Sequence, residues 1–378
     1  MKKCILLVLL VLVFNCNVFA AGFTHIAGGG LDTIPDVGDI ATDVQFDAYG
    51  SKVDANGNLY IATYPNASNQ PGFVRVNRSG IIDRVFLDTV NLGEYFDDLD
   101  VDRDGNVYLL YDNRMMRVDV NDNLTEVASG YTRVDCLSVN AAGDILAAGY
   151  HSPDYWKIDP VAKTKTLIYT DPASDFSSYA CDSDGAGNVY ASNSSNNSNF
   201  TLYRVSSAGV STPIHVFTEV INGIGVDDWG NVYFTDIDPS SLTRIDPLGN
   251  VTSFGATPLT SYSYSDPARV SVDEEGMVYV NVYASEYSEV HKYTLDPEIY
   301  RIFPEDVSVG GTLTIEGRYF LKNGTGGSVT IDGLSAEVSS WSNETISVVI
   351  PAGAKAASDV IVTTKDSNAT APYSYRVK

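Results

Sequence analysis

The sequence predicts an all-β chain: a six-bladed β-propeller followed by a small immunoglobulin-like β-sandwich. Three observations predict it. A strand–turn–strand phrase recurs six times at spacings of 38 to 48 residues, the range in which one repeat makes one propeller blade. After residue 296 the period stops and short alternating strands take over. No long stretch carries apolar residues at the i, i+3, i+4, i+7 spacing of a helix.

In chain order, the first element is a secretory leader. Lys2 and Lys3 precede an unbroken apolar run of 11 residues, 4–14, which is too short to span a bilayer. Val18, Phe19 and Ala20 then place small or modest residues where a signal peptidase reads, so cleavage is expected after Ala20. Cys16 makes a poor lipoprotein signal because Phe14 and Asn15 precede it. No second apolar span follows, so the mature chain is expected to be exported, without membrane insertion, to the periplasm, the cell surface or the medium of a bacterium.

The mature chain keeps 22 basic residues against 48 acidic ones, a formal charge of −26. Such a surface repels phosphate backbones and anionic lipid, which excludes nucleic acid as a natural partner. Cys136 and Cys181 survive cleavage. Export permits a disulfide between them, and two buried thiols are the alternative.

The repeats read SKVDANGNLYIAT (51–63), LDVDRDGNVYLLY (99–111), LSVNAAGDILAAG (137–149), ACDSDGAGNVYAS (180–192), IGVDDWGNVYFTD (224–236) and VSVDEEGMVYVNV (270–282). Each has an apolar inner strand, a turn in which Gly supplies positive φ and Asp caps, and a second strand opening on Val-Tyr or Leu-Tyr. A third strand follows with a basic residue at a similar place: Arg75, Arg117, Lys157, Arg204, Arg244 and Lys292. Blades three and four depart most. Blade three has NAAGD from Asn140, and blade four has DSDGAGN from Asp182, read as two residues longer. The last blade runs into Asp296 and Pro297 without a fourth strand, so the segment Gly22–Gly28 is expected to supply it and close the ring.

These phrases, with THIAGGG opening at Thr24, resemble the NHL-repeat family over residues 22–296. The resemblance implies a propeller and leaves function open, since propellers host many unrelated activities. The chain therefore divides into a leader (1–20), an NHL-like propeller (21–296) and a C-terminal module (297–378). Few contacts are expected across the Asp296–Pro297 junction. The strands of the C-terminal module, among them VGGTLTIEG from Val309, VTIDG from Val329 and ISVVIP from Ile346, resemble the IPT/TIG family of immunoglobulin-like domains. That resemblance implies a spacer or adhesive unit.

Candidate sites are few. Asp100, Asp102, Asp104, Gly105 and Asn106 imitate a calcium loop, but the twelfth position is Tyr111 and the closing Glu is missing. None of His25, His151, His215 and His291 has a partner at metal spacing, although the closing strand would make His25 and His291 neighbours. Gly28, Gly29 and Gly30 open no helix and make no phosphate cradle. What remains is one mouth of the central funnel. There the six phrases place Tyr49, Asp97, Asp135, Ser177, Asn222 and Ala268 four residues before the aligned Val, or before Cys181 in blade four. Gluconolactonase-like propellers hold a divalent ion in such a place, and that resemblance makes Asp97, Asp135 and Asn222 the ligand or metal candidates. Three oxygen donors support a loosely bound calcium at most, and no cofactor is required. The function expected is an exported non-enzymatic recognition or scaffold protein presenting a propeller face to a protein or carbohydrate. The alternative is a metal-dependent hydrolase or lyase, gluconolactonase-like or streptogramin-lyase-like, acting at the funnel.

Overall fold

The computed structural model describes residues 22–46, 48, 50–63, 70–90, 97–111, 114–130, 134–149, 152–170, 180–194, 200–217, 221–236, 242–254, 269–284, 287–321, 326–366 and 368–378. The leader lies outside them. Among the described residues the structure is strand and turn, with one 3-10 turn at Ala41–Asp43.

Six four-stranded antiparallel sheets form the blades. Their first strands are Gly50–Val53, Asp98–Val101, Cys136–Val139, Cys181–Ser183, Ile221–Val226 and Arg269–Val272. Each first strand packs beside the next, and the sixth packs beside the first, so the ring is closed around an axis. The second strands are buried on both faces because each blade is covered by its two neighbours. The fourth strand of blade six is Gly22–Gly28, which pairs antiparallel with Tyr287–Thr294, Gly22 opposite Thr294 and His25 opposite His291.

The repeated turn has one physical cause. In blade one the Asp54 carboxylate accepts the N–H groups of Asn56 and Asn58 at 2.9 and 2.8 Å and the Asn58 side-chain amide at 2.8 Å. Asp102 and Asp227 repeat the pattern, and Asn140 stands in for the Asp in blade three. The turn glycines have φ between 73° and 81°, a region closed to most side chains. The tyrosine of the second strand also serves the turn: Tyr108, Tyr190, Tyr233 and Tyr279 each donate a hydroxyl to the capping Asp of their own blade.

Blade four corrects the sequence reading. Asp184, not Asp182, caps its turn, accepting from Ala186, Asn188 and the Asn188 amide. The turn is therefore the same length as in blade one. Asp182 moves back into the first strand, Cys181–Ser183.

The C-terminal residues form two packed sheets. One orders Glu298–Phe303, Thr312–Arg318, Thr345–Val349 and Glu337–Trp341. The other orders Asp306–Val307, Tyr373–Val377, Ala357–Thr363, Ser328–Ile331 and Leu334–Ser335. Leu313, Ile315, Val329, Ile331, Ile346, Val348, Val360 and Val362 fill the space between them, as period-two alternation requires.

The junction between the modules is not sparse. Tyr319 and Leu321, each 1% exposed, belong to the same apolar cluster as Tyr233 and Tyr279 of the propeller. The Tyr319 hydroxyl meets the Tyr233 hydroxyl and accepts from Arg244 Nη1 at 3.1 Å. Arg244 also faces Glu298 at 3.6 Å. Asn343 Nδ2 donates to the Glu275 carbonyl at 3.2 Å. Tyr319 and Leu321 hold positive φ, 58° and 65°, at a cost of roughly 1–2 kcal/mol each for residues with a Cβ. Burial of their side chains against the propeller offsets that cost.

Candidate functional site

Counting back from the capping residue of each turn brings equivalent positions to the axis. Two residues before it stand Lys52, Asp100, Ser138, Asp182, Gly225 and Ser271; four before it stand Gly50, Asp98, Cys136, Ala180, Gly223 and Arg269. Blade one therefore sends Lys52 across the axis to blade four, where its Nζ lies 2.9 Å from Asp182 Oδ1. The same oxygen accepts from Ser138 Oγ at 2.9 Å, and Ser138 Oγ is 2.7 Å from Ser183 Oγ.

The acids of this plug also tie blades together. Asp98 Oδ2 accepts from Leu137 N at 3.0 Å, Asp100 Oδ2 from Val139 N at 2.7 Å, and Asp182 Oδ2 from Val226 N at 2.8 Å. Each bond runs from one first strand to the next. From blade six, Arg269 Nη2 donates to the Asp97 carbonyl at 3.2 Å. Three buried carboxylates thus share the axis with Lys52 and Arg269.

Burial pushes the Asp100 carboxyl up to about 6, against the pull of Lys52. It raises Asp98 as well, with Arg269 and then Lys52 opposing. Burial works against the Lys52 charge, but Asp182, Asp100 and Asp98 more than offset it and hold the ammonium above its ordinary range. On the turn side the funnel holds a cavity of about 120 Å³ whose lining includes Lys52, Asp100, Ser138 and Asp182 of the plug as well as Asp228 and Glu274.

Cys136 and Cys181 lie on adjacent first strands beside this plug, bonded to each other with Cα atoms 5.7 Å apart. They staple blade three to blade four.

The sequence-derived candidates sit elsewhere. Asp97 and Asp135 are half-buried just before the first strands, at the end of the channel away from the turn-side cavity. Their backbone N–H groups donate to Leu110 and Ala148 at 2.8 and 3.1 Å. Asn222 lies in blade five's first strand, where the pairing register shifts; its side chain, like Tyr49, Ser177 and Ala268, falls outside the described residues. In blade four the register correction makes Tyr179, not Ser177, the position equivalent to Asp97.

Among the described residues no three His, Cys, Asp or Glu side chains are grouped as a metal centre. The acids that do reach the axis are committed to Lys52 and to backbone N–H groups, so an ion seated among them would have to displace the Lys52 ammonium. The calcium-loop imitation dissolves for a related reason: Asp100 is at the axis, Asp102 caps its own turn and Asp104 is exposed. His25 and His291 are neighbours as expected, ring centroids 5.1 Å apart, with His291 Nε2 at 2.7 Å from Glu289. Sequence reasoning missed Lys52 and Arg269. The available signal was a lone cation in an otherwise apolar or acidic first strand, which only a correct six-way alignment exposes.

Fold and axis together define a β-propeller carrying a C-terminal immunoglobulin-like domain. Residues 297–377 match the family model of the IPT/TIG domain. The propeller is similar to a streptogramin B lyase, at 14% identity and a TM-score of 0.50 over 74% of this chain and 100% of that one. It is similar to a protein of unknown function from Bacteroides thetaiotaomicron, at 16% identity and a TM-score of 0.55 over 72% and 76%. An auxiliary nutrient binding protein from Bacteroides ovatus aligns at 14% identity with a TM-score of 0.51 over 73% and 76%. At such identities the likeness is one of fold. No curated protein sequence matches.

Proposed function

We propose that this chain is an exported, non-catalytic binding protein, an NHL-like propeller that presents a recognition surface to a protein or carbohydrate. The observation that carries the reading is the plugged axis. Lys52 lies 2.9 Å from Asp182, where a funnel enzyme needs an open position for substrate or metal. The sandwich fits the role of a rigid mount, because Tyr319 and Arg244 lock it to the ring. A solved propeller of similar fold is described as an auxiliary nutrient binding protein, which agrees with binding as a use of this architecture. Export rests on the leader. No helix among the described residues is long and apolar enough to cross a membrane.

The test is calorimetry with calcium on the mature protein and on Asp97→Ala/Asp135→Ala, followed by a lactone and ester screen. Weak calcium binding at most, and no turnover, is the expected result. Tight calcium binding lost in the double variant, together with turnover, would overturn the reading in favour of a metal-dependent hydrolase or lyase.

A further inference from the structure

The basic residues of the third strands do not share one fate. Arg75 meets Asp83 at 2.6 Å, Arg117 meets Asn106 at 2.8 Å, Lys157 meets Asp144 at 2.7 Å and Arg244 meets Tyr319 and Glu298. Arg204 of blade four faces the Tyr190 hydroxyl and Lys292 of blade six a tyrosine ring, neither of them an ion pair. The Lys292 Nζ lies 5.9 Å from the centroid of the Tyr279 ring, and among the described residues no carboxylate stands within ion-pair distance of it. In blade two the Asn after the turn glycine, Asn106, holds the cation; blade six carries Met277 there, fully buried, which offers no such acceptor. The Asp273 carboxylate is engaged by the N–H groups of Glu275 and Met277 and by the Tyr279 hydroxyl.

Lys292 lines a cavity of about 460 Å³ at the seam where the ring closes, within the range of small-molecule sites. Its walls come from the closing strand, blade one, blade six and the sandwich. Ile26, Ile40, Leu59 and Val76 are its aliphatic lining. Of its charged lining, Arg78 and Lys365 both lean on the buried Glu275, at 3.6 and 3.8 Å. Two cations thus share one carboxylate there, and Lys292, which feels the Asp273 charge and the Tyr279 ring, makes no ion pair of its own among the described residues.

We propose that this seam cavity binds a small carboxylic acid, its carboxylate on Lys292 and its apolar body against Ile26, Ile40, Leu59 and Val76. A cationic ligand would meet Arg78, Lys292 and Lys365 unfavourably and find Asp273 and Glu275 already engaged, with only the exposed Asp366 to receive it. A neutral polyol would leave the aliphatic wall uncovered and Lys292 unmatched. The inference gives the binding reading a ligand class and rests on it. The two fail separately, because turnover at the axis would defeat the first and an empty seam would defeat only the second.

The experiment is calorimetry and ligand-observed NMR on the full mature chain with hexanoate and phenylacetate, against hexanamide and phenylacetamide. The carboxylates bind saturably and the amides at least about tenfold more weakly, as loss of one charge-assisted contact implies. Lys292→Met weakens carboxylate binding at least about tenfold, while Lys292→Arg retains it. Thr42→Trp, a half-buried position on the cavity wall, abolishes binding by filling the space and keeps the idea testable should Lys292→Met fold poorly. Absence of carboxylate binding, equal binding of the amides, or binding unchanged in Lys292→Met or Thr42→Trp would overturn the proposal.

Discussion

Replacing Lys52 by Met removes the ammonium from the axis and keeps most of the stem. Asp182 then faces the axis without its 2.9 Å partner, and Asp100 loses the main cation that opposes its burial. Breaking a buried pair by removing one member costs about 3–5 kcal/mol, because the remaining charge stays desolvated. The cost should depend on pH with a definite sign. The Asp100 carboxyl is raised from 3.8 to about 6 in the folded chain. Between those values the folded state binds more protons than the unfolded one, so stability falls as pH rises through that window. The gap corresponds to about 3 kcal/mol at about 1.4 kcal/mol per pH unit. Without Lys52 the carboxyls rise further, and the window extends towards neutral pH. Urea unfolding followed by far-ultraviolet circular dichroism at pH 5 and pH 8 reads the effect. Lys52→Met should lose about 3–5 kcal/mol at pH 8 and clearly less at pH 5. Lys52→Met/Asp182→Asn should recover part of the loss, since the orphaned charge is gone. A loss below about 1 kcal/mol at pH 8, or a larger loss at pH 5 than at pH 8, would refute the view that Lys52 is the counter-charge of the axis.

Two further outcomes follow from the closure and the junction. Deleting Gly22–Gly28 uncovers the edge of Tyr287–Thr294, removes the buried Ala27 and should lower the melting temperature by about 5 °C or more, on the order of 2–3 kcal/mol; an unchanged melting temperature would show that the strand does not latch the ring. Tyr319→Ala leaves a cavity in the shared cluster and strips Arg244 and Tyr233 of their hydroxyl partner, at a cost of about 3–5 kcal/mol; calorimetry should then resolve separate melting of sandwich and propeller, and a single unshifted transition would argue that the modules are not coupled there.

Much of the architecture could be read from the sequence because its causes are local. A turn needing positive φ calls for Gly57, Gly105 or Gly230, and a capping carboxylate calls for Asp54, Asp102 or Asp227, so the blades announce themselves. The closing strand was legible from a missing fourth strand at one end and a spare one at the other. Blade four was misaligned because Asp182 and Asp184 are the same residue type two positions apart, on the same side of an extended strand. Only the hydrogen bonds separate the cap from the axial acid. The plug is illegible for the same reason: Lys52 and Asp182 are 130 residues apart and meet only because blades one and four face each other across a ring. The locked junction was illegible for a different reason. Tyr319 and Leu321 sit in strained backbone past a strand end, and no periodicity in the sandwich marks them as facing another module.

The way the ring is closed also has a mechanical consequence. Gly22 lies opposite Thr294, and the first sandwich strand starts shortly afterwards at Glu298. The chain therefore enters and leaves the propeller from the same end of one strand pair. Tension between the two exits would open that pair as a zipper, one hydrogen bond at a time from Gly22 inward, instead of loading all of them in shear. A pull applied between the sandwich and a partner held on a blade would bypass the zipper altogether and be borne by Tyr319, Arg244 and Glu298 at the junction.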